Sequence, residues 1–200
     1  MTIAELERFI GEEGGVTTSS RLQRAGFSPG LIAYAYGAGR IDRLTRGVYC
    51  TPDVLDDDFA AVTARWRKCV ISHGSALYLL GLSDRVPPVL DVTVPYGYNP
   101  KSLAEEFRGI RIHRVDKEHY ALGLSKARTP MGNLVSCFSA ERTVADIIRQ
   151  RARGGVDAQL IRNAIRGYFS RPGRNLSELA RMCKALGVEK ELRIYLEVLG

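Results

Sequence analysis

Cysteine is scarce and scattered in this chain. The four cysteines stand at 50, 69, 137 and 183 with no close pair, which argues against a clustered zinc site and a disulfide-stapled scaffold. Ordinary thiols in a reducing compartment are the expectation. Long apolar runs are missing as well. The longest stretches without Asp, Glu, Lys or Arg, Ala25–Gly39 and Cys69–Ser83, hold 15 residues each, below the roughly 17 to 25 that a membrane span needs. The opening Met-Thr-Ile-Ala-Glu-Leu-Glu carries acids where a secretory leader wants basic residues. There is no internal repeat and no low-complexity segment. With 45% hydrophobic and 26% charged residues, the composition is that of a folded chain. A cytoplasmic protein without membrane contact is expected.

The familiar catalytic signatures are also absent. The chain has no G-x-x-x-x-G-K-[ST], no G-x-G-x-x-G, no H-E-x-x-H and no G-x-S-x-G. His113-Arg114-Val115-Asp116 has a kinase-loop flavour, yet the downstream Asn and a D-F-G are missing. Asp91 could be the first acid of a nuclease site, but no acid-x-Lys pair follows on the next strands. No catalytic residue, cofactor or metal is expected.

What the chain does have is a basic excess, 29 Lys and Arg against 22 Asp and Glu, and the excess is uneven. Residues 1–52 are nearly balanced and 53–146 balanced, whereas 147–200 carry eleven basic side chains against five acidic ones. Within the first block, Arg21, Arg24, Arg40, Arg43 and Arg46 follow the first helix and meet only Asp42. Basic ends around a neutral middle point to a polyanion or an acidic partner.

The pattern of apolar residues gives an α+β chain. Ile3, Leu6, Phe9 and Ile10 recur at helical spacing until Gly14-Gly15. Thr17 or Thr18 can cap a second helix, and Ser28-Pro29 is a cap and first-position pair for a third, which runs to Gly37. Short extended pieces at 40–44 and 48–50 follow. Three helices and a basic hairpin over 1–52 predict a winged helix-turn-helix. Asp56-Asp57-Asp58 opens the next helix, and residues 53–200 form the second domain. Its sheet part, 53–138, includes strands at 90–95, 109–115 and 134–138, the first two with one wet face. Residues 139–200 predict a C-terminal helical bundle. His73 is expected to cap the helix it precedes, and Arg142 to pair with Asp146 one turn on.

On the third helix, Leu31, Ile32 and Ala35 share the face that packs inward. Gly30, Ala33, Tyr34 and Gly37 lie opposite, small enough to let a backbone sit deep in a major groove. The predicted DNA contacts are Arg21, Arg24, Ser28, Tyr34, Arg40, Arg43 and Arg46, mostly to phosphates. In the tail, Arg149, Arg153, Arg162, Arg166, Arg171 and Arg174 are candidates for an acidic partner or flanking DNA, since guanidinium forks suit carboxylate and phosphate.

Gly15-Val16-Thr17-Thr18 through Leu22 and Ala25-Gly26, then Gly39-Arg40-Ile41 through Arg46-Gly47-Val48-Tyr49, resemble the winged-helix head of AbiEi-type antitoxins. Ser72-His73-Gly74-Ser75-Ala76-Leu77 with Leu80-Gly81-Leu82, and Cys137 through Asp146, resemble that family's later blocks. The likeness spans about residues 1–150. This chain departs from it at Ala33, Tyr34 and Tyr36, where family members often carry basic residues. The resemblance implies a bacterial abortive-infection antitoxin that represses its own operon at promoter DNA and counters a nucleotidyltransferase-like toxin. An enzymatic antitoxin that modifies the toxin and a plain winged-helix regulator are the alternatives.

Overall fold

The computed structural model describes residues 1–52, 57–155 and 157–199. Asp56, the residues just after the expected 52/53 boundary, and the side chain of Leu199 lie outside the described residues. The chain is a mixed α+β protein with two compact units, Met1–Arg67 with Arg128–Val135, and Lys68–Ala127 with Ser136–Gly200.

The first unit opens with α1 (Ile3–Glu12), β1 (Val16–Thr18), α2 (Ser19–Arg24) and α3 (Pro29–Gly37). Each helix starts where a hydroxyl meets an open amide. Thr2 and Glu5 form a reciprocal capping box, Thr18 accepts from Arg21 N at 3.2 Å, and Ser28 accepts from Leu31 N at 3.2 Å. Leu6, Ile10, Leu22, Phe27, Ile32, Ala35 and Ile41 pack into one core beneath these helices. Then β2 (Asp42–Thr45) and β3 (Val48–Cys50) pair antiparallel, and β1 adds to β3 on its other edge, giving the order β1-β3-β2. At three residues, β1 is too short to announce itself by alternation.

Next comes α4 (Asp58–Arg65), which packs on β1, β2 and β3 through Ala60, Ala61 and Val62. The sequence reading put this stretch with the second domain, whereas its buried face belongs to the first unit. The reason lies in Asp57. One of its carboxylate oxygens accepts from Ala60 N at 3.0 Å, capping α4, while the other accepts from Thr129 Oγ1 at 2.5 Å and Asn133 Nδ2 at 2.8 Å. That buried carboxylate ties residues 128–135 to α4.

The second unit contains β4 (Val70–Ile71), α5 (His73–Leu79), β5 (Leu90–Pro95), α6 (Leu103–Glu106), β6 (Ile110–Val115) and α7 (Lys117–Ala121). After β7 (Leu124–Arg128) and β8 (Leu134–Phe138) come α8 (Ala140–Ala152), α9 (Ala158–Ser170), α10 (Leu176–Ala185) and α11 (Glu189–Leu199). The sheet order is β6-β5-β4-β8-β7, with β5 parallel to β6 and antiparallel to β4. The alternation in β5 predicts a wet face, yet residues 91–95 are all buried. Being paired on both edges and packed by α5 and α7, β5 buries even Asp91 and Thr93. β6, at the edge, keeps Arg111 and Arg114 exposed.

Helices α8, α9, α10 and α5 share an apolar cluster that includes Leu77, Val144, Ile148, Ile165 and Met182. Gly167 lets α9 approach the chain closely, since a Cβ there would stand 2.3 Å from Leu82 O. Tyr168 is fully buried and accepts from Asn175 N at 3.0 Å, which fixes the turn into α10. The four cysteines are buried and form no disulfide among the described residues. No helix of the described chain is long and apolar enough to cross a membrane.

Candidate functional site

The basic residues of the first unit divide into two kinds. Arg21 lays Nε and Nη2 on both carboxylate oxygens of Glu13, at 3.1 and 2.9 Å, and Arg40 does the same on Glu7 at 2.8 and 2.9 Å. Glu7 and Glu13 belong to α1 and its end, so the helix that precedes these arginines supplies their counterions. Arg40 stands before β2 rather than on the hairpin. Arg24 donates from Nε to Ser20 O at 3.2 Å. Arg43 holds its guanidinium 5.4 Å from the centre of the Tyr36 ring, and Arg46 is exposed in the β2–β3 turn. Ser28 acts as the cap of α3. On that helix only Ile32 and Ala35 are buried, Tyr34 is 67% exposed, and Gly30 and Gly37 face open space.

The tail arginines separate as well. Arg162 bonds Gln159 at 2.8 Å, Arg166 sits on the outer side of α9, and Arg171 and Arg174 are exposed in the turn after it. Arg149 and Arg153 instead enter a cleft of about 300 Å³ in the second unit. They reach it because Arg142, Asp146, Arg149 and Arg153 follow one stripe of α8, at offsets of four, seven and eleven residues. The sequence reading named members of this stripe as partner contacts, took His73 as a helix cap and placed His113 in a kinase-like motif, but joined none of them in one site.

Those histidines come from β6 and the start of α5. The His73 and His113 rings stack, with centroids 3.7 Å apart and planes 16° from parallel. His113 donates from Nε2 to Asp91 Oδ1 at 2.8 Å, and Arg111 Nη1 lies 3.5 Å from the same oxygen. His73 is the first residue of α5 and takes a left-handed φ of +48°, a rare conformation for a residue with a side chain. It does not cap the helix. Its Nδ1 stands 3.0 Å from Ser72 Oγ, which accepts from Thr93 Oγ1 at 2.9 Å. A hydroxyl oxygen can accept twice, so the Ser72 contact is compatible with either imidazole tautomer. Burial pushes the His73 imidazole down to about 3, reinforced by its neighbour His113, so it is a neutral donor at physiological pH.

Arg142 closes the cleft from below. Its side chain is 0% exposed, donates from Nε to Asp146 at 3.0 Å and from Nη1 to the carbonyls of His119 and Leu122, and lies over the Phe138 ring. Burial raises the Asp146 carboxyl against the pull of Arg142. Burial, followed by the neighbouring charge of Arg153, lowers the guanidinium of Arg149. Among the described residues, no three His, Cys, Asp or Glu side chains converge as a metal site.

No family model matches this chain, and no curated protein is similar to it. Among solved structures, the RV2827C protein from Mycobacterium tuberculosis is similar in fold. The two share 14% identity at a TM-score of 0.51, over 98% of this chain and 79% of that one. At that identity the likeness is one of fold alone.

The neutral, half-buried His73 sets a pH dependence. The unfolded chain takes up this proton near pH 6.5, while the folded one resists it down to about pH 3. The unfolded state therefore binds more protons across that window, and stability falls as pH drops through it. Asn tolerates left-handed backbone. In urea unfolding between pH 6.5 and 5, above the carboxylate range, His73→Asn should remove a slope of up to about 1.4 kcal/mol per pH unit. A slope unchanged by the substitution contradicts a half-buried neutral imidazole.

Proposed function

We propose that this chain is a DNA-binding antitoxin of the AbiEi type, a transcriptional repressor of its own operon that counters a nucleotidyltransferase-like toxin. The sequence blocks over residues 1–150 carry the family reading, and the geometry of the first unit supports its DNA-binding half. Three helices with an antiparallel β1-β3-β2 sheet suit a winged helix-turn-helix, α3 being the reading helix and the β2–β3 turn the wing. In the second unit, the shared core of α8, α9 and α10 suits the family's helical ending.

The observation that carries the DNA reading is the outward side of α3. A helix apolar on all sides is ordinarily buried, but this one leaves Ala33, Tyr34 and two glycines open. Arg43, stacked on Tyr36, and Arg46 in the following turn flank that side with positive charge. Small residues admit a close approach to the groove, and the arginines supply phosphate contacts. No Arg, Asn or Gln projects from α3, so affinity comes mainly from the backbone and sequence discrimination from α3 is modest.

The test is binding of the full chain to the DNA upstream of its gene, followed as a function of salt. Arg43→Ala with Arg46→Ala should shallow the slope of log affinity against log salt by about 2, roughly one for each lost phosphate contact. Arg40→Ala, whose guanidinium Glu7 holds, should change it less. The folded Arg43/Arg46 double variant should still rescue cells that make the product of the adjacent gene. An unchanged slope removes the wing assignment, and loss of rescue contradicts the division of labour between the two units.

A further inference from the structure

The DNA reading makes no use of the cleft in the second unit. Its charges do not balance. Asp146 is engaged by Arg142, and Asp116 by His119. That leaves the guanidinium groups of Arg114, Arg149 and Arg153, for which no hydrogen bond or salt bridge exists among the described residues. Arg149 is half-buried beside Arg153. Arg114 and Arg153 are exposed, and Asp146 and Asp116 offset part of the repulsion felt by Arg149, so the surplus positive charge of the cleft favours an added anion.

The carboxylates of Asp116 and Asp146 also line the cleft, and donors stand beside them. His73 presents a neutral ring that carries one N–H. Beneath it, the Nη2 of the fully buried Arg142 has no hydrogen-bond partner. Such an orphaned buried donor calls for an explanation. Guanidinium forks from two elements, β6 and α8, converge with neutral donors, a set whose geometry suits a tetrahedral oxyanion with several acceptor oxygens. At about 300 Å³ the cleft exceeds an inorganic anion and matches the small end of organic ligand sites. Tyr96, 63% exposed at the same cleft, offers a flat ring to the remainder of such a molecule.

We infer that the cleft bounded by Arg114, Arg149, Arg153 and His73 binds the phosphate group of a small molecule. The phosphate sits between the arginines at the end of α8 and Arg114 of the edge strand β6, with the His73 imidazole on the facing wall. The site lies in a different unit from α3 and its arginines, so it stands or falls independently of DNA binding.

The experiment is calorimetric titration of the full chain with inorganic phosphate and, separately, with a ribonucleoside 5′-monophosphate. The unphosphorylated nucleoside and a glutamate-rich peptide serve as controls. Both phosphate probes should bind, with tighter binding of the monophosphate marking an ester as the source and equal binding marking free phosphate. Arg149→Gln with Arg153→Gln should weaken binding tenfold or more, and Arg114→Gln alone should weaken it too. Arg162→Gln with Arg166→Gln, outside the cleft, should leave it intact. The His73 ring N–H resonance should shift with phosphate in the native chain and not in the Arg149/Arg153 variant. Circular dichroism of each variant checks that it is folded. Absence of binding by both phosphate probes overturns the proposal, as does binding that survives the Arg149/Arg153 variant. Binding of the peptide as tight as that of phosphate, lost in the same variant, overturns it in favour of an acidic protein surface.

Discussion

A positive charge sealed inside a protein is costly unless it is met by partners, and all of the Arg142 guanidinium but Nη2 is met, by groups drawn from four places in the chain. The guanidinium reaches Asp146 one turn along α8, carbonyls at the end of α7 and just after it, and the Phe138 ring at the end of β8, 4.3 Å away. Even the backbone yields to it. Gly123 has a φ of +68°, and a Cβ there would stand 2.5 Å from Arg142 Cβ. The carbonyl of Gly123 accepts from Ser139 N at 2.8 Å, just before α8 starts. One side chain thus fixes the exit of α7, the entry of β7 and the rotation of α8 about its axis.

That rotation determines what the second unit presents. With Arg142 and Asp146 locked inward, Arg149 and Arg153 must follow on the same stripe, two and three turns further on, opposite the stacked histidines. The neutrality of His73 follows from the same enclosure, since burial and the adjacent ring both oppose its proton. The first unit divides its arginines in the same way. Glu7 and Glu13 of the α1 region neutralise Arg40 and Arg21, so unpaired charge remains at Arg43 and Arg46. Both units therefore divide their arginines alike, pairing some and leaving others available.

Local chemistry made much of this legible. The caps at Thr18 and Ser28, the helix stop before Gly14-Gly15, and the strands at 90–95 and 134–138 rest on neighbours in sequence. What escaped was non-local. Arg40 finds Glu7 across 33 residues, and Asp57 finds Thr129 across 72. Counting charge along the chain treats Arg40 as available, and reading a boundary ahead of α4 separates that helix from the unit it packs in. His73 reads as a helix cap because it precedes a helix. Only the pairing of β5 with β6 brings His113 over it, with Thr93 opposite His113 in that register. Arg142 and Asp146 were visible as a pair by spacing, but not as the buried centre of the unit.

The most direct test is a double-mutant cycle on the buried pair, read by urea unfolding of the full chain. Arg142→Met leaves the Asp146 carboxyl buried without its partner and should cost about 3 to 5 kcal/mol. Arg142→Met combined with Asp146→Leu should recover much of that loss, giving a coupling of about 1 to 3 kcal/mol between the two sites. Additive effects, or a single Arg142→Met loss below about 1 kcal/mol, would contradict the account in which this guanidinium holds the second unit and its cleft in place.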